Sequence, residues 1–449
     1  MDARDIIVTP LLLMIVYLCA YVARSRVPDP ESRAYFLPAL TVRILGALLV
    51  GIIYQFYYQG GDTLAYHTHG SRHIWDAFMT NPRHGLSLLF SNGVHQPETF
   101  AWSQQIWYFR DQQSFFVIRV AAVFDLLTFS SYSGTAVLFA VVSFIGAWLM
   151  YRTFYKMYPT FHRWIAVSCL FVPTVFFWGS GIFKDTITLA ALGAATYGIY
   201  HVTIEKKVRV KYLLTIAICF GIIYSIKIYI LLCFLPAVIL WIGIRYITSL
   251  RQVLARALIL PLGLAGIVGL GYLAVNQVAR DDPRYNLDRI AETARVTAYD
   301  IGFWTGKDAG SRYSLGELDG TLGGMLRLAP QAINVALFRP YFWEVSNPLM
   351  LLAALEGFAL LLVTLYVLLR AGRLTFRYFF HPDALFCLVF ALIFAFAVGV
   401  STYNFGSLSR YKIPLMPYFL MGIGLIYYYS NKERKVEVLE ETEYRSITV

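Results

Sequence analysis

Four short stretches gather the side chains able to do polar chemistry: GGDTLAYHTHG at 60–70, FFWGSGIFKDTITLA at 176–190, ALFRPYFWEVSNP at 336–348 and STYNFGSLSRYKIPLMPYF at 401–419. In the first, Asp62 follows a glycine pair, with His67 and His69 close behind. A carboxylate placed there can act as a general base toward a hydroxyl, or ligate a divalent cation. It can equally cap a surface helix. The histidines are two residues apart, so they diverge on a helix and suit zinc only on a strand. No metal site is assigned, and the two rings are read as supporting donors to a phosphate.

In the second stretch a Gly-Ser-Gly turn precedes a helix that begins with Lys184 and Asp185. Free N–H groups at a helix N-terminus beside an ammonium favour an anion. The plain alternative is a tight hairpin with Asp185 as cap and Lys184 as interface anchor. A Walker loop needs GxxxxGK[ST] after a strand, so an ATPase is not supported. In the third, Arg339 and Glu344 flank Tyr341, Phe342 and Trp343. Arg339 could clamp a phosphate bidentately, or pair with Glu344 and fix the loop. In the fourth, Asn404, Arg410 and Lys412 fall on the side where basic residues are uncommon, which invites an anionic lipid phosphate or pyrophosphate. The alternative is a pair of snorkelling anchors. No GxSxG, HExxH, CxxC or GxGxxG directs the chemistry elsewhere.

The elements that must position these groups are membrane helices. Of 449 residues, 58% are hydrophobic and only 14% charged, where a soluble domain carries about 25% charged. Mean hydropathy is +0.58. Apolar runs long enough to span a bilayer recur at 6–23, 36–58, 134–150, 164–178, 186–203, 212–226, 228–244, 257–275, 347–369, 384–402 and 412–429. An all-α polytopic protein with about eleven spans is expected, as one integral membrane domain. Soluble enzymes, disordered regulators and secreted disulfide scaffolds are excluded. The net charge of +11 belongs to basic loops and anion sites rather than to nucleic acid. All five cysteines lie in apolar runs, none in a CxxC pair, so inert core thiols are expected. No cleavable signal peptide is expected at the start of the chain.

Lys and Arg are more than twice as dense in one set of loops (24–35, 151–163, 204–211, 245–256, 370–383 and the tail 430–449) as on the opposite side. The positive-inside rule therefore puts the carboxyl tail in the cytoplasm and the long segments 59–133 and 276–346 outside. Within the first, SFFVIRVAAVFDLLTF is interrupted by Arg119 and Asp125 and reads as an interfacial helix. The tail KERKVEVLEETEYR reads as disordered or as a frayed helix. The cations Lys184, Arg339, Arg410 and Lys412 are expected to converge on one outer cavity.

These residues resemble the GT-C superfamily of membrane glycosyltransferases: an Asp in the first large outer loop (GGDTLAYH), amphipathic helices after it, and a late RYKIPLMPYF segment. With FWGSGIFKD, FRPYFWE and NFGSLSRYKIP, the set also looks like bacterial membrane proteins associated with exopolysaccharide synthesis. The resemblance implies a polyprenyl-phosphate sugar as donor, a glycan, lipid or protein as acceptor, and work on the periplasmic face of a bacterial inner membrane. It would make Asp62 the catalytic acid/base and set Arg410 and Lys412 at the lipid phosphate. The Asp follows the second span rather than the first and no DD or DE pair is present, so the resemblance assigns no metal. Rival readings are an O-antigen polymerase or ligase, and a transporter or flippase for a lipid-linked glycan or organic anion.

Overall fold

The computed structural model describes residues 3–248, 266, 269, 273, 290–306, 311–316 and 319–447, the side chains of 290, 301–306 and 437–447 apart. The span expected at 257–275 and the start of the second outer segment fall largely outside these. Among the described residues the chain is helical, with one isolated antiparallel bridge between Arg312 and Asn404. Seven described helices are long and apolar enough to cross a membrane: Ala3–Ser25, Pro30–Tyr57, Tyr132–Met157, Lys184–Ile204, Val210–Thr248, Pro348–Ala371 and Pro382–Thr402. This is an all-α membrane protein; the described residues supply seven candidate spans and do not confirm the expected count of eleven.

The chain divides into two compact units, Met1–Ile228 and Tyr229–Val449. The first runs α1 (Ala3–Ser25), α2 (Pro30–Ile52, extended by a π-turn to Tyr57), α3 (Asp62–Tyr66), a π-turn His67–Ser71, α4 (Arg72–Thr80), α5 (Pro82–Leu89), α6 (Phe100–Ser103), α7 (Gln112–Thr128), α8 (Tyr132–Met157), α9 (His162–Leu170), α10 (Pro173–Trp178), α11 (Lys184–Ile199) and the first part of α12 (Val210–Thr248). The span expected at 164–178 is two short helices instead. Pro173 opens α10 and cannot continue α9, because it lacks an N–H and crowds the preceding turn. The expected spans 212–226 and 228–244 form one 39-residue element, interrupted where Lys227 leaves helical geometry at φ −145°, ψ 75°.

Small residues set the closest packing of this unit. A Cβ on Gly146 of α8 would lie 2.3 Å from the Ala190 Cα of α11, and one on Gly193 would lie 2.3 Å from the Gly146 carbonyl oxygen. Backbone thus meets backbone, and any side chain there would force the helices apart. The helix α7 buries Ser114, Phe115, Ile118, Ala121, Ala122 and Asp125, a stripe at helical spacing. Its opposite face exposes Val123, Leu126 and Leu127. Both charges that interrupt the run are engaged: Arg119 donates to the Ser91 carbonyl, and Asp125 accepts from Thr135 at 2.6 Å.

The second unit comprises the rest of α12, then α13 (Ile290–Gly306), α14 (Leu322–Arg327), α15 (Ala329–Phe338), α16 (Pro348–Ala371), α17 (Leu374–Phe379), α18 (Pro382–Thr402), α19 (Phe405–Tyr411) and α20 (Leu415–Ile447). Its core is aromatic: Trp241 stacks on Phe386 at 4.3 Å, and Phe390 meets Tyr418 at 4.7 Å. The buried Asp383 is held by Trp241 Nε1 at 2.7 Å and by Arg245 Nε at 2.8 Å. The tail continues as helix through Ile447.

Candidate active site

Asp62 opens α3. The cap position before it is Gly61 at φ 108°, and no side chain caps the helix, so Asp62 is not the N-cap its sequence position allowed. Glycine is required at 61 twice over: the positive φ strains any L side chain, and a Cβ would strike the Tyr54 ring at 2.6 Å. Tyr54 also packs edge-on against Phe183, the residue just before Lys184, at 5.5 Å. A single ring thus supports the start of both α3 and α11. The Tyr108 hydroxyl donates to Asp62 Oδ1 at 3.5 Å.

Lys184 sits at the first position of α11, with its ammonium 3.5 Å from Asp111 Oδ2. Asp62 and Lys227 also lie within its electrostatic reach. Asp111 is itself a helix cap, accepting from the Gln113 amide of α7 at 3.2 Å and from the Ser114 hydroxyl. Burial pushes the Asp111 carboxyl up, but the Ser114 hydroxyl, the Lys184 ammonium and the Gln113 amide outweigh it and hold it below the usual carboxylate range. Beside Lys184, Asp185 is 2% exposed and pairs with Lys227, itself 9% exposed, at the break in α12. Three carboxylates and two ammonium groups from α3, the 104–111 loop, α11 and α12 therefore form one charged cluster.

The Gly179–Gly181 turn before α11 is held from several sides. Ser143 donates to the Gly179 carbonyl and accepts from Arg43 Nη1 at 2.6 Å, and Thr186 donates to the Gly181 carbonyl at 2.6 Å. A fully buried arginine in the middle of α2 thus reaches this turn through one hydroxyl.

The other anticipated residues are placed differently. His67 is fully buried, with Nε2 3.4 Å from Asp125 Oδ1 and its ring edge-on to Tyr132. His69 lies flat against Trp107, with centroids 4.1 Å apart. In the second unit, Arg339 Nε sits 3.1 and 3.0 Å from the two Glu344 oxygens, so this pair fixes its own loop. Asn404 caps α19, accepting from the Ser407 amide at 3.0 Å and donating to Ser311 at 3.0 Å. Lys412 is 1% exposed, within electrostatic reach of Glu356 of α16. Arg410 lies over the Tyr411 ring at 5.5 Å. Lys184 belongs to the first unit, and Arg339, Arg410 and Lys412 to the second.

Tyr108, Asp111 and Lys227 escape the sequence analysis. Asp111 carries only the faint signal of an acidic residue opening a helix, DQQS. Lys227 has a clear one: an ionisable residue inside an apolar stretch is a functional candidate by default. Among the described residues, no group of three or more His, Cys, Asp or Glu side chains is arranged to hold a metal. No family model matches the chain, and neither a curated protein nor a solved structure is significantly similar to it.

Proposed function

We propose that the protein is an integral membrane glycosyltransferase that moves a sugar from a polyprenyl-phosphate donor to an acceptor hydroxyl. The observation that carries this reading is that Asp62 at the start of α3 lies within electrostatic reach of Lys184 at the start of α11, with one ring, Tyr54, packed against the residue before each. Transfer of this kind needs a base at one end and a cation at the other. The acceptor oxygen attacks the anomeric carbon, its proton passes to the Asp62 carboxylate, and the bond from that carbon to the phosphate oxygen breaks. The lipid phosphate leaves as an anion, toward the Lys184 ammonium and the N–H groups of the first turn of α11. Asp111, held ionised, fixes where Lys184 points. The reaction runs in one displacement with inversion, on the face where the 59–133 segment lies, which charge density places outside.

The test uses purified protein with a panel of polyprenyl-phosphate sugars, scoring release of polyprenyl phosphate. Release that needs both Asp62 and Lys184 supports the proposal; no release with any donor overturns it. The Lys227–Asp185 pair at a broken membrane helix supports a second reading, transport of an organic anion, since transporters place ligand sites at such breaks. Flux across proteoliposomes without release of polyprenyl phosphate would favour it.

A further inference from the structure

The loop that brings Tyr108 to Asp62 and Asp111 to Lys184 also carries an indole that neither contact uses. Ile106 and Phe109 anchor this loop, at 4% and 2% exposure, while Trp107 between them is 65% exposed. The indole is nonetheless fixed. It lies parallel to the His69 ring, 4.1 Å away with 6° between the planes, and the Trp107 amide donates to the His69 carbonyl at 3.1 Å. His69 in turn belongs to the π-turn that directly follows α3. One indole face is therefore covered by imidazole, and the loop around it presents exposed Gln104, Gln105, Arg110 and Asp111.

A flat, immobilised aromatic face on a loop that also exposes amide, guanidinium and carboxylate side chains suits a pyranose. The axial C–H bonds of the sugar stack on the indole, while its equatorial hydroxyls reach the polar rim. Holding the ring still beforehand lowers the entropy cost of binding. A bilayer anchor has other needs: its indole sits among apolar neighbours at headgroup depth, whereas the exposed residues flanking Trp107 along its loop, Gln104, Gln105, Arg110 and Asp111, are polar.

We propose that Trp107, backed by His69, is a saccharide-binding platform that seats a pyranose unit of the acceptor glycan beside Asp62. This rests on the glycosyltransferase reading and names the chemical class of its acceptor. The next residue, Tyr108, donates to Asp62, so the platform and the base belong to the same loop contact.

The experiment is saturation-transfer NMR on the full-length protein in detergent, with methyl glycosides of common hexoses and their disaccharides as probes and no donor present. At least one saccharide is expected to bind through its ring C–H protons. Trp107→Ala is expected to weaken that binding by about tenfold, the scale of one aromatic stacking contact. Trp107→Phe is expected to keep it within about threefold, and His69→Ala to fall between. Thermal unfolding of each variant reports folding, and Trp107→Phe keeps the test readable if the alanine variant misfolds. Absence of saccharide binding in the wild type, or equal binding by the alanine variant, overturns the proposal. Because no donor is used, failure of glycosyl transfer and failure of the platform are read separately.

Discussion

At the scale of single residues, the site separates a proton acceptor from a cation. Asp62→Asn keeps the shape of Asp62 and removes its proton acceptance. Release of polyprenyl phosphate is expected to fall about 10²–10⁴-fold while donor binding is retained. Since no side chain caps α3, a loss of this size cannot be assigned to a lost cap, and near-wild-type turnover would remove Asp62 from the mechanism. Lys184→Met is expected to affect donor affinity and turnover together, because in the proposed reaction the ammonium faces the phosphate before and after departure. A pH dependence follows from Asp111, whose folded carboxyl lies below its ordinary value. Such a group contributes stability above the ordinary carboxylate pKa, near about pH 4, and loses it as pH falls through the lowered value. Thermal unfolding followed from pH 7 to 3 should show a shallower acid limb in Asp111→Asn. An unchanged limb would show that the Lys184 contact does not shape acid stability.

Among the elements, α11 and α12 carry the consequences. The start of α11 holds Lys184 and Asp185, and its middle packs backbone to backbone on α8 through Gly146 and Gly193. Gly193→Val places new atoms where the Gly146 carbonyl oxygen already stands. Such overpacking is expected to cost about 1–3 kcal/mol, read as a lower unfolding temperature, with donor affinity falling as the Lys184 end of α11 shifts. At α12, Lys227→Met removes the ion-pair partner of the buried Asp185, and breaking a buried pair in this way typically costs about 3–5 kcal/mol. The pair Lys227→Met with Asp185→Leu removes both charges and is expected to restore most of the unfolding temperature, as swaps of whole buried ion pairs tend to do. If transfer returns as well, the pair is structural; if stability returns without transfer, the charges serve the reaction.

Across the whole molecule, the prediction concerns orientation. The loops dense in Lys and Arg are expected in the cytoplasm, so a reporter fused after Val449 should read as inside. A cysteine introduced at Arg110, exposed beside the cluster, should react with a membrane-impermeant maleimide from outside. An outward carboxyl terminus would invert the whole arrangement and place the site on the nucleotide-containing side, against a polyprenyl-phosphate donor.

The sequence by itself determined that this is an all-α membrane protein, because runs of apolar residues have one stable form in a bilayer, with each backbone hydrogen bond closed within its own helix. It also placed the interruption near 227 and marked Asp62, Lys184 and Asp185, since charges beside apolar runs are legible without any fold. Element continuity was less legible: 164–178 is apolar enough to span, yet Pro173 divides it. Only the tertiary structure decided which charges belong together. Asp111 lies 73 residues from the Lys184 it pairs with, and Tyr108 lies 46 residues from Asp62. No local spacing encodes such meetings, because they depend on how α7, α8 and α11 pack through their small residues. Packing in the first unit also buried His67 against Asp125. In the second unit, Arg339 took the nearby Glu344 as its partner, the local alternative its spacing had allowed, and the Asn404 amide serves a helix cap and a loop clamp. Polar residues in a chain this apolar are too few to fill their hydrogen bonds from near neighbours, so the fold selects their partners.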